Sequence, residues 1–238
     1  MLAALWTIAA SSAAPVSTEV EVADGGLLWA VHVLASEYRT AVTFEGTPLD
    51  REGPEWRWEP STGARLQTAY GPFRASVPAG STGIEAVRAV VAAWNARPSP
   101  EARYAVREAP GFIHVVPVAD ADADGILRPY TPVLDTVIHL DRTTGTPTEL
   151  YQAIAVALSL AAGVPIHDIR EGYAMDSEGL APITVPATGT ARDLLDRVVD
   201  ASDLADTWCL NWSVLDGPWH GWNLWFDRIR PTDDPSGR

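Results

Sequence analysis

Hydrophobic and polar positions along this chain fall into the same order twice. Ser17 to Val22 (STEVEV) alternates polar and apolar residues, the period of a half-buried strand. Leu27, Leu28, Val31, Leu34, Ala35 and Tyr38 then recur at helical spacing and predict an amphipathic helix over 27–38. Ala41 to Phe44 predicts a short strand. Residues 45–72 read as irregular, with the charged-aromatic stretch Glu55-Trp56-Arg57-Trp58-Glu59 inside them, and Phe73 to Val77 alternates again. Thr82 and Glu85 make a capping box, because the threonine accepts from free N–H groups while the glutamate reaches back. Ile84, Val87, Val90, Val91 and Trp94 form the stripe of the helix it opens, and Pro98 and Pro100 stop that helix. Ala102 to Glu108 and Phe112 to Val118 flank Ala109-Pro110-Gly111 and predict a hairpin.

The order then restarts. Thr136 to Leu140 predicts a strand, and Thr146-Pro147-Thr148-Glu149 combines a capping threonine, a proline at the first helical position and a glutamate at the third. Leu150, Ile154, Ala157, Leu158 and Ala161 carry that helix to Gly163. Strands are expected at Val164 to Ile169 and Ile183 to Val185. Thr190 and Asp193 open a helix bearing Leu194, Leu195, Val198 and Val199. Trp208 to Val214 and Trp222 to Phe226 close the order with a second hairpin. Val77-Pro78-Ala79 matches Val185-Pro186-Ala187, Thr82 matches Thr190, and Val90-Val91 matches Val198-Val199, all at one offset without a gap. An internal duplication accounts for both order and residues. The expected fold is α+β: two tandem small modules, each a short mixed sheet with two helices (strand-helix-strand-strand-helix-strand-strand). The expected boundaries are 15–118 for the first module, 119–135 for an acidic linker, 136–230 for the second module and 231–238 for a disordered tail. The longer insertion, 46–72, belongs to the first half.

Composition adds limits. Of 238 residues, 47% are hydrophobic and 20% charged, enough apolar material for packed cores. The net charge of −14 disfavours nucleic-acid backbones and anionic lipid head groups, and suits solubility, cation binding or a basic partner. Leu2 to Ala10 form a short apolar run followed by Ser11, Ser12, Ala13 and Ala14, the pattern of a secretory signal peptide, so residues 1–14 are expected to direct export to the periplasm or beyond the cell. The run is too short for a mature membrane span. The lone cysteine, Cys209, excludes an intrachain disulfide and is expected to fill space in a strand.

With Ile183 to Val199 (ITVPATGTARDLLDRVV) leading into the Trp208 to Phe226 hairpin, this order resembles the secretin and TonB short N-terminal (STN-like) domain. Ser76 to Val91 with Tyr104 to Val118 fits the same pattern, except that Ile84-Glu85-Ala86-Val87 stands where the family's helix usually has leucine. The resemblance covers most of the mature chain and rests on apolar patterning. It implies a periplasmic protein of the cell envelope with a protein-docking role. Within these residues no barrel, plug or secretin pore is expected, unlike the family's usual setting.

Candidate chemistry is sparse. Asp120, Asp122 and Asp124, ahead of Gly125, alternate as at the start of a calcium loop, but the twelfth position is Thr131 instead of a bidentate glutamate. The segment therefore reads either as an acidic turn or as a calcium site. His32, His114, His139, His167 and His220 lack zinc spacing. No phosphate loop, serine elbow or HExxH sequence occurs, and no catalytic residue is expected. The ten tryptophans are the most unusual feature. Trp208, Trp212 and Trp222 are expected in the second core, while Trp56, Trp58, Trp219 and Trp225 are candidates for an exposed binding surface. The expected function is a non-enzymatic exported module that docks a protein through sheet edges or tryptophan-bearing loops. The alternatives are a self-assembling structural subunit and, behind it, an extracellular glycan binder or hydrolase.

Overall fold

The computed structural model describes residues 18–22, 26–48, 56–58, 65–67, 73–98, 101–122, 124–168, 181–202, 206–213 and 221–228. The expected signal peptide, Trp219 and the expected tail over 231–238 lie outside these residues. In chain order the first half contains β1 (Thr18–Val22), α1 (Gly26–Tyr38), β2 (Ala41–Glu45), β3 (Trp56–Trp58), β4 (Arg65–Gln67), β5 (Phe73–Val77), α2 (Gly83–Asn95), β6 (Ala102–Ala109), β7 (Phe112–Ala121) and β8 (Leu127–Pro129). After a single 3-10 turn at Val133–Asp135 come β9 (Val137–His139), β10 (Thr144–Gly145), α3 (Pro147–Ala162), β11 (Ile166–Asp168), β12 (Ile183–Thr184), β13 (Thr188–Thr190), α4 (Ala191–Ser202), β14 (Asp206–Ser213) and β15 (Gly221–Arg228).

Strand pairing repeats between the halves. The strand directly before the first helix pairs antiparallel with the strand that ends near Val77 or its equivalent Val185: β1 with β5, and β10 with β12, while the second half adds an antiparallel β9–β13 pair. The strand after the first helix runs parallel to the last strand of the half: β2 with β7, and β11 with β15. The closing hairpin is antiparallel in both, β6 with β7 and β14 with β15. Two buried clusters follow the same division. Val42, Val77, Val87, Val91, Trp94 and Val115 belong to one, and Ile154, Val185, Leu195, Val199, Trp222 and Leu224 to the other. The chain is thus an α+β protein in which one wrapped arrangement occurs twice.

The two halves are fused through their sheets. β2 also runs parallel to β14, with Phe44 beside Cys209 and Glu45 beside Leu210. One sheet therefore runs β11-β15-β14-β2-β7-β6, with β8 pairing β7 further along the edge that β2 occupies. Along β2 and β7, Val42, Phe44, Ile113 and Val115 join the first core with α1 and α2. The alternate residues Thr43, Glu45, Phe112 and His114 face the other way, toward the second half. Phe112 enters the second core, and α4 covers this face. Helix pairs lie on opposite faces, and equivalent strands run in opposite directions, so a half-turn about an axis running across the strands, combined with a shift along that axis, relates the modules.

Several expectations change in detail, and the second half gains the short strands β10 and β13, each directly before a helix. Residues 45–72 are not wholly irregular: Trp56–Trp58 pairs antiparallel with Arg65–Gln67. A three-residue Trp-Arg-Trp run favours extended backbone but is too short to announce itself by period. The acidic stretch 119–135 does more than connect. It carries the end of β7, all of β8 and the 3-10 turn, and its Leu134 is fully buried in the second core. Among the described residues no helix is long and apolar enough to cross a membrane.

The helix starts follow from the capping residues. At α3 the Thr146 hydroxyl accepts from the Glu149 N–H at 3.3 Å, and the Glu149 carboxylate accepts from the Thr146 N–H at 2.9 Å. At α2 the Glu85 carboxylate accepts from the Thr82 N–H at 2.8 Å and from the Thr82 hydroxyl at 2.9 Å. Gly163 ends α3 at φ 68°, a left-handed conformation that favours glycine. Thr146→Ala removes one of these caps and is expected to cost about 1 kcal/mol, or a fall of roughly 2–4 °C in melting temperature measured by circular dichroism.

Candidate functional site

Three features stand out once the sheet is assembled: a buried polar seam between the modules, an open groove beside α3, and the two ends of the sheet. The seam grows from β2. Glu45 extends that strand one residue past its apolar run and has no exposed surface. Its carboxylate accepts from the Arg192 Nη2 group of α4 at 2.5 Å and from the Leu134 N–H at 3.2 Å. Arg192, 5% exposed, also donates from Nε to Asp135 at 3.0 Å, and Arg107 of β6 donates to the other Asp135 oxygen at 2.8 Å. One turn along α4, Asp196 lies 3.1 Å from Nε2 of His114 on β7, while His114 Nδ1 and the Thr43 hydroxyl are 2.7 Å apart. The seam thus ties β2, β6 and β7 of the first module to α4 of the second.

Its electrostatics are divided. Burial is the largest influence on Glu45 and pushes its carboxyl pKa above the ordinary 4.5, more than offsetting the attraction and hydrogen bond of Arg192. Burial also acts upward on Asp135. There the hydrogen bonds and charges of Arg107 and Arg192 together prevail and hold the carboxyl below its ordinary value. A pair this buried, with further donors, fixes geometry more than it adds stability.

The groove beside α3, of about 440 Å³, is lined by His139, Asp141, Arg142, Val156, Ala157 and Leu160. It is open to solvent, and Leu160 on its wall is 81% exposed.

The sheet ends are β6 and β11, and among the described residues no strand pairs with the outer side of either. Each is partly closed by its own helix. The Asn95 side chain, at the end of α2, donates to the Tyr104 carbonyl at 2.8 Å and accepts from the Tyr104 N–H at 3.0 Å, imitating a neighbouring strand. These bonds orient Tyr104 outward from β7, so by alternation the N–H and C=O groups of Val106 and Glu108 also point outward. At the other end, Ser159 of α3 contacts both the N–H of Ile166, at 2.9 Å, and its carbonyl, at 3.5 Å. Asp168, two residues on, directs its backbone groups the same way. Arg88 and Glu108 form an exposed ion pair near the β6 edge.

The sequence candidates fare differently. Asp120 lies at the end of β7, and Asp122 and Asp124 lie in the turn between β7 and β8. Asp122 accepts from the N–H groups of Asp124 and Ile126 and from Arg128 Nε, at 2.9–3.1 Å. The Ile126 N–H, ahead of Arg128, holds its carboxyl below the ordinary range. Among the described residues no group of three His, Cys, Asp or Glu side chains is placed to hold a metal ion. The backbones of Trp56 and Trp58 lie in the β3–β4 pair, and that of Trp225 lies opposite Cys209 in the last hairpin. Trp222 is buried in the second core as expected. Sequence reading missed the seam entirely. Arg192 and Asp196 stand four apart on a helix, the spacing of an ordinary solvent-facing pair. The β6 and β11 ends become visible only when the sheet order is known.

No protein-family model matches this chain, and neither the curated proteins nor the solved structures contain a match to it.

Proposed function

We propose that this chain is an exported, non-enzymatic binding protein of the cell envelope that docks a protein partner by strand addition at an open end of its sheet. The observation that carries this reading is the pair of outward-facing backbone segments, Val106 to Glu108 on β6 and Asp168 on β11, at the two ends of one sheet. Outward N–H and C=O groups on an edge strand are an established template for an added strand. The use of the buried titratable groups supports the same reading. Glu45, Asp135, His114, Arg192 and Asp196 bind one another across the module seam, a structural employment. The apolar run over 2–10 and the pattern shared with the secretin and TonB short N-terminal domain favour an exported setting.

The test is site-specific photo-crosslinking in producing cells, with a photoreactive amino acid placed at Arg103 or Arg107 on β6 and, as a control, at Ala92 on the exposed side of α2. Both the mature chain and a discrete protein adduct are expected in the envelope or medium, the adduct from the β6 positions alone. Equal labelling from Ala92, absence of any adduct, or retention of the chain in the cytoplasm would overturn the reading.

A further inference from the structure

The joint between the two modules is itself an edge-to-edge strand pairing, and it is heterologous. It joins β2 of the first module, the strand after the first helix, to β14 of the second, the first strand of the closing hairpin. The strand equivalent to β14 in the first module is β6, and the strand equivalent to β2 in the second is β11. These are the two strands that end the sheet. One chain therefore presents, at opposite ends, both halves of a joint it already makes internally. We infer that a second copy of this chain is the occupant of these ends, with β6 of one copy running parallel to β11 of the next. This rests on the edge-docking reading above and names its partner.

Strand directions allow it. β11 runs parallel to β15, and β15 runs against β14, so β11 runs opposite to β2. β6 runs opposite to β7, which is parallel to β2. β6 and β11 therefore run the same way, as β2 and β14 do. The register follows from the repeats. Val42 and Ile166, the first buried residues of their strands, lie beside Ile113 and Trp222. This makes Phe44 equivalent to Asp168, Val106 to Leu210 and Ala105 to Cys209. Phe44 lies beside Cys209 within the chain, so Ala105 of one copy would lie beside Asp168 of the next. The helix side chains that close part of each edge, Asn95 over Tyr104 and Ser159 over Ile166, leave Val106, Glu108 and Asp168 available. A heterologous joint between identical copies does not stop at two. It closes into a ring or continues as a filament. Each chain carries a net charge of −14, so copies repel at a distance, and salt strengthens the assembly by screening that repulsion.

Light scattering coupled to size exclusion over a concentration series, at low and at moderate salt, is the first measurement. The weight-average mass should climb from one chain to two and beyond, further at the higher salt. Val106→Pro removes the outward N–H of β6 at a place where an edge strand tolerates proline. It should hold the mass at one chain while far-ultraviolet circular dichroism stays unchanged. Because a proline variant can fail to fold, a second pair of variants carries the test independently. Ala105→Cys and Asp168→Cys, each made with Cys209→Ser, are mixed and oxidised. A disulfide-linked dimer is expected from the mixture, with neither variant alone giving comparable yield. A wild-type mass fixed at one chain across the series, or cysteine dimers that form as readily from one variant alone, overturns the inference. If the β6 adduct with another protein persists in that case, edge docking stands and the second copy as its occupant fails.

Discussion

Arg192→Ala is expected to lower stability by about 3–5 kcal/mol, a fall of roughly 6–20 °C in melting temperature. The cost arises because the substitution strands the Glu45 carboxylate, which has no solvent contact, and removes one of the two guanidinium partners of Asp135. The Coulombic attraction of the intact pair is largely offset by the desolvation of both charges. Deleting one partner therefore hurts more than deleting both, and Glu45→Leu combined with Arg192→Met should recover most of the loss. Differential scanning calorimetry of Glu45→Leu, Arg192→Met and the double variant separates these outcomes. If the double substitution costs as much as the sum of the single ones, the seam is not an interacting pair. The pH dependence has a defined sign. Burial raises the pKa of Glu45 in the folded chain above 4.5, so the folded state holds its proton more tightly than the unfolded state does. The stability Glu45 contributes on this account is complete below pH 4.5 and is lost as pH rises through the folded value. Wild type should accordingly lose stability relative to Glu45→Gln as pH rises from about 4.5 toward neutrality. Asp135, lowered in the folded chain, acts in the opposite sense and only in more acidic solution, as pH falls below its ordinary 3.8.

Trp94→Ala is expected to cost about 3–5 kcal/mol. Trp94 is 2% exposed on the core face of α2, packs with Val87, Val91 and Tyr104, and donates its indole N–H to the Ala102 carbonyl at 3.1 Å. Substitution leaves a cavity of indole size and removes the indole donor from the Ala102 carbonyl at the start of β6. The loss falls on the first module alone, because Trp94 has no role in the second cluster. Calorimetry should show the first module's transition shifting down, or a single transition splitting into two. Trp222→Ala should do the converse through the second core. A uniform loss from either substitution, with one transition always retained, would mean that the two cores fold as a single unit.

Much of this fold was legible because its elements are locally consistent. The Thr146-Pro147-Thr148-Glu149 sequence fixes the start of α3 before any tertiary contact forms, and the structure contains that cap with both reciprocal bonds. The alternation over 73–77 and the stripe of Val87, Val90, Val91 and Trp94 needed only period and charge to be read. The equivalence of Val77 and Val185, both buried before a second helix, was visible from a constant offset. What the sequence withheld are facts about partners far apart in the chain. Glu45 and Arg192 are separated by 147 positions, and neither carries a local mark of burial. Along α4 the residues Arg192 and Asp196 are buried beside Leu194, Leu195, Val198 and Val199 because the helix is covered on two sides, once by its own core and once by the neighbouring sheet. A periodicity argument sees one apolar stripe and assigns the rest to solvent. The open ends were hidden for the same reason, since they depend on β2, paired with β7 on one side, meeting β14 of the other module on its second side.

Cross-strand nuclear Overhauser contacts in the full chain, labelled with nitrogen-15 and carbon-13, bear most directly on the fused-module arrangement. Backbone contacts are expected from Phe44 and Glu45 to Cys209 and Leu210 in a parallel pattern, alongside those from Phe44 to Val115, with slowed amide exchange on β14. A spectrum in which β2 contacts β7 alone, while the amides of residues 206–213 exchange freely along their outer side, would contradict the joint and, with it, the two-ended sheet built on it.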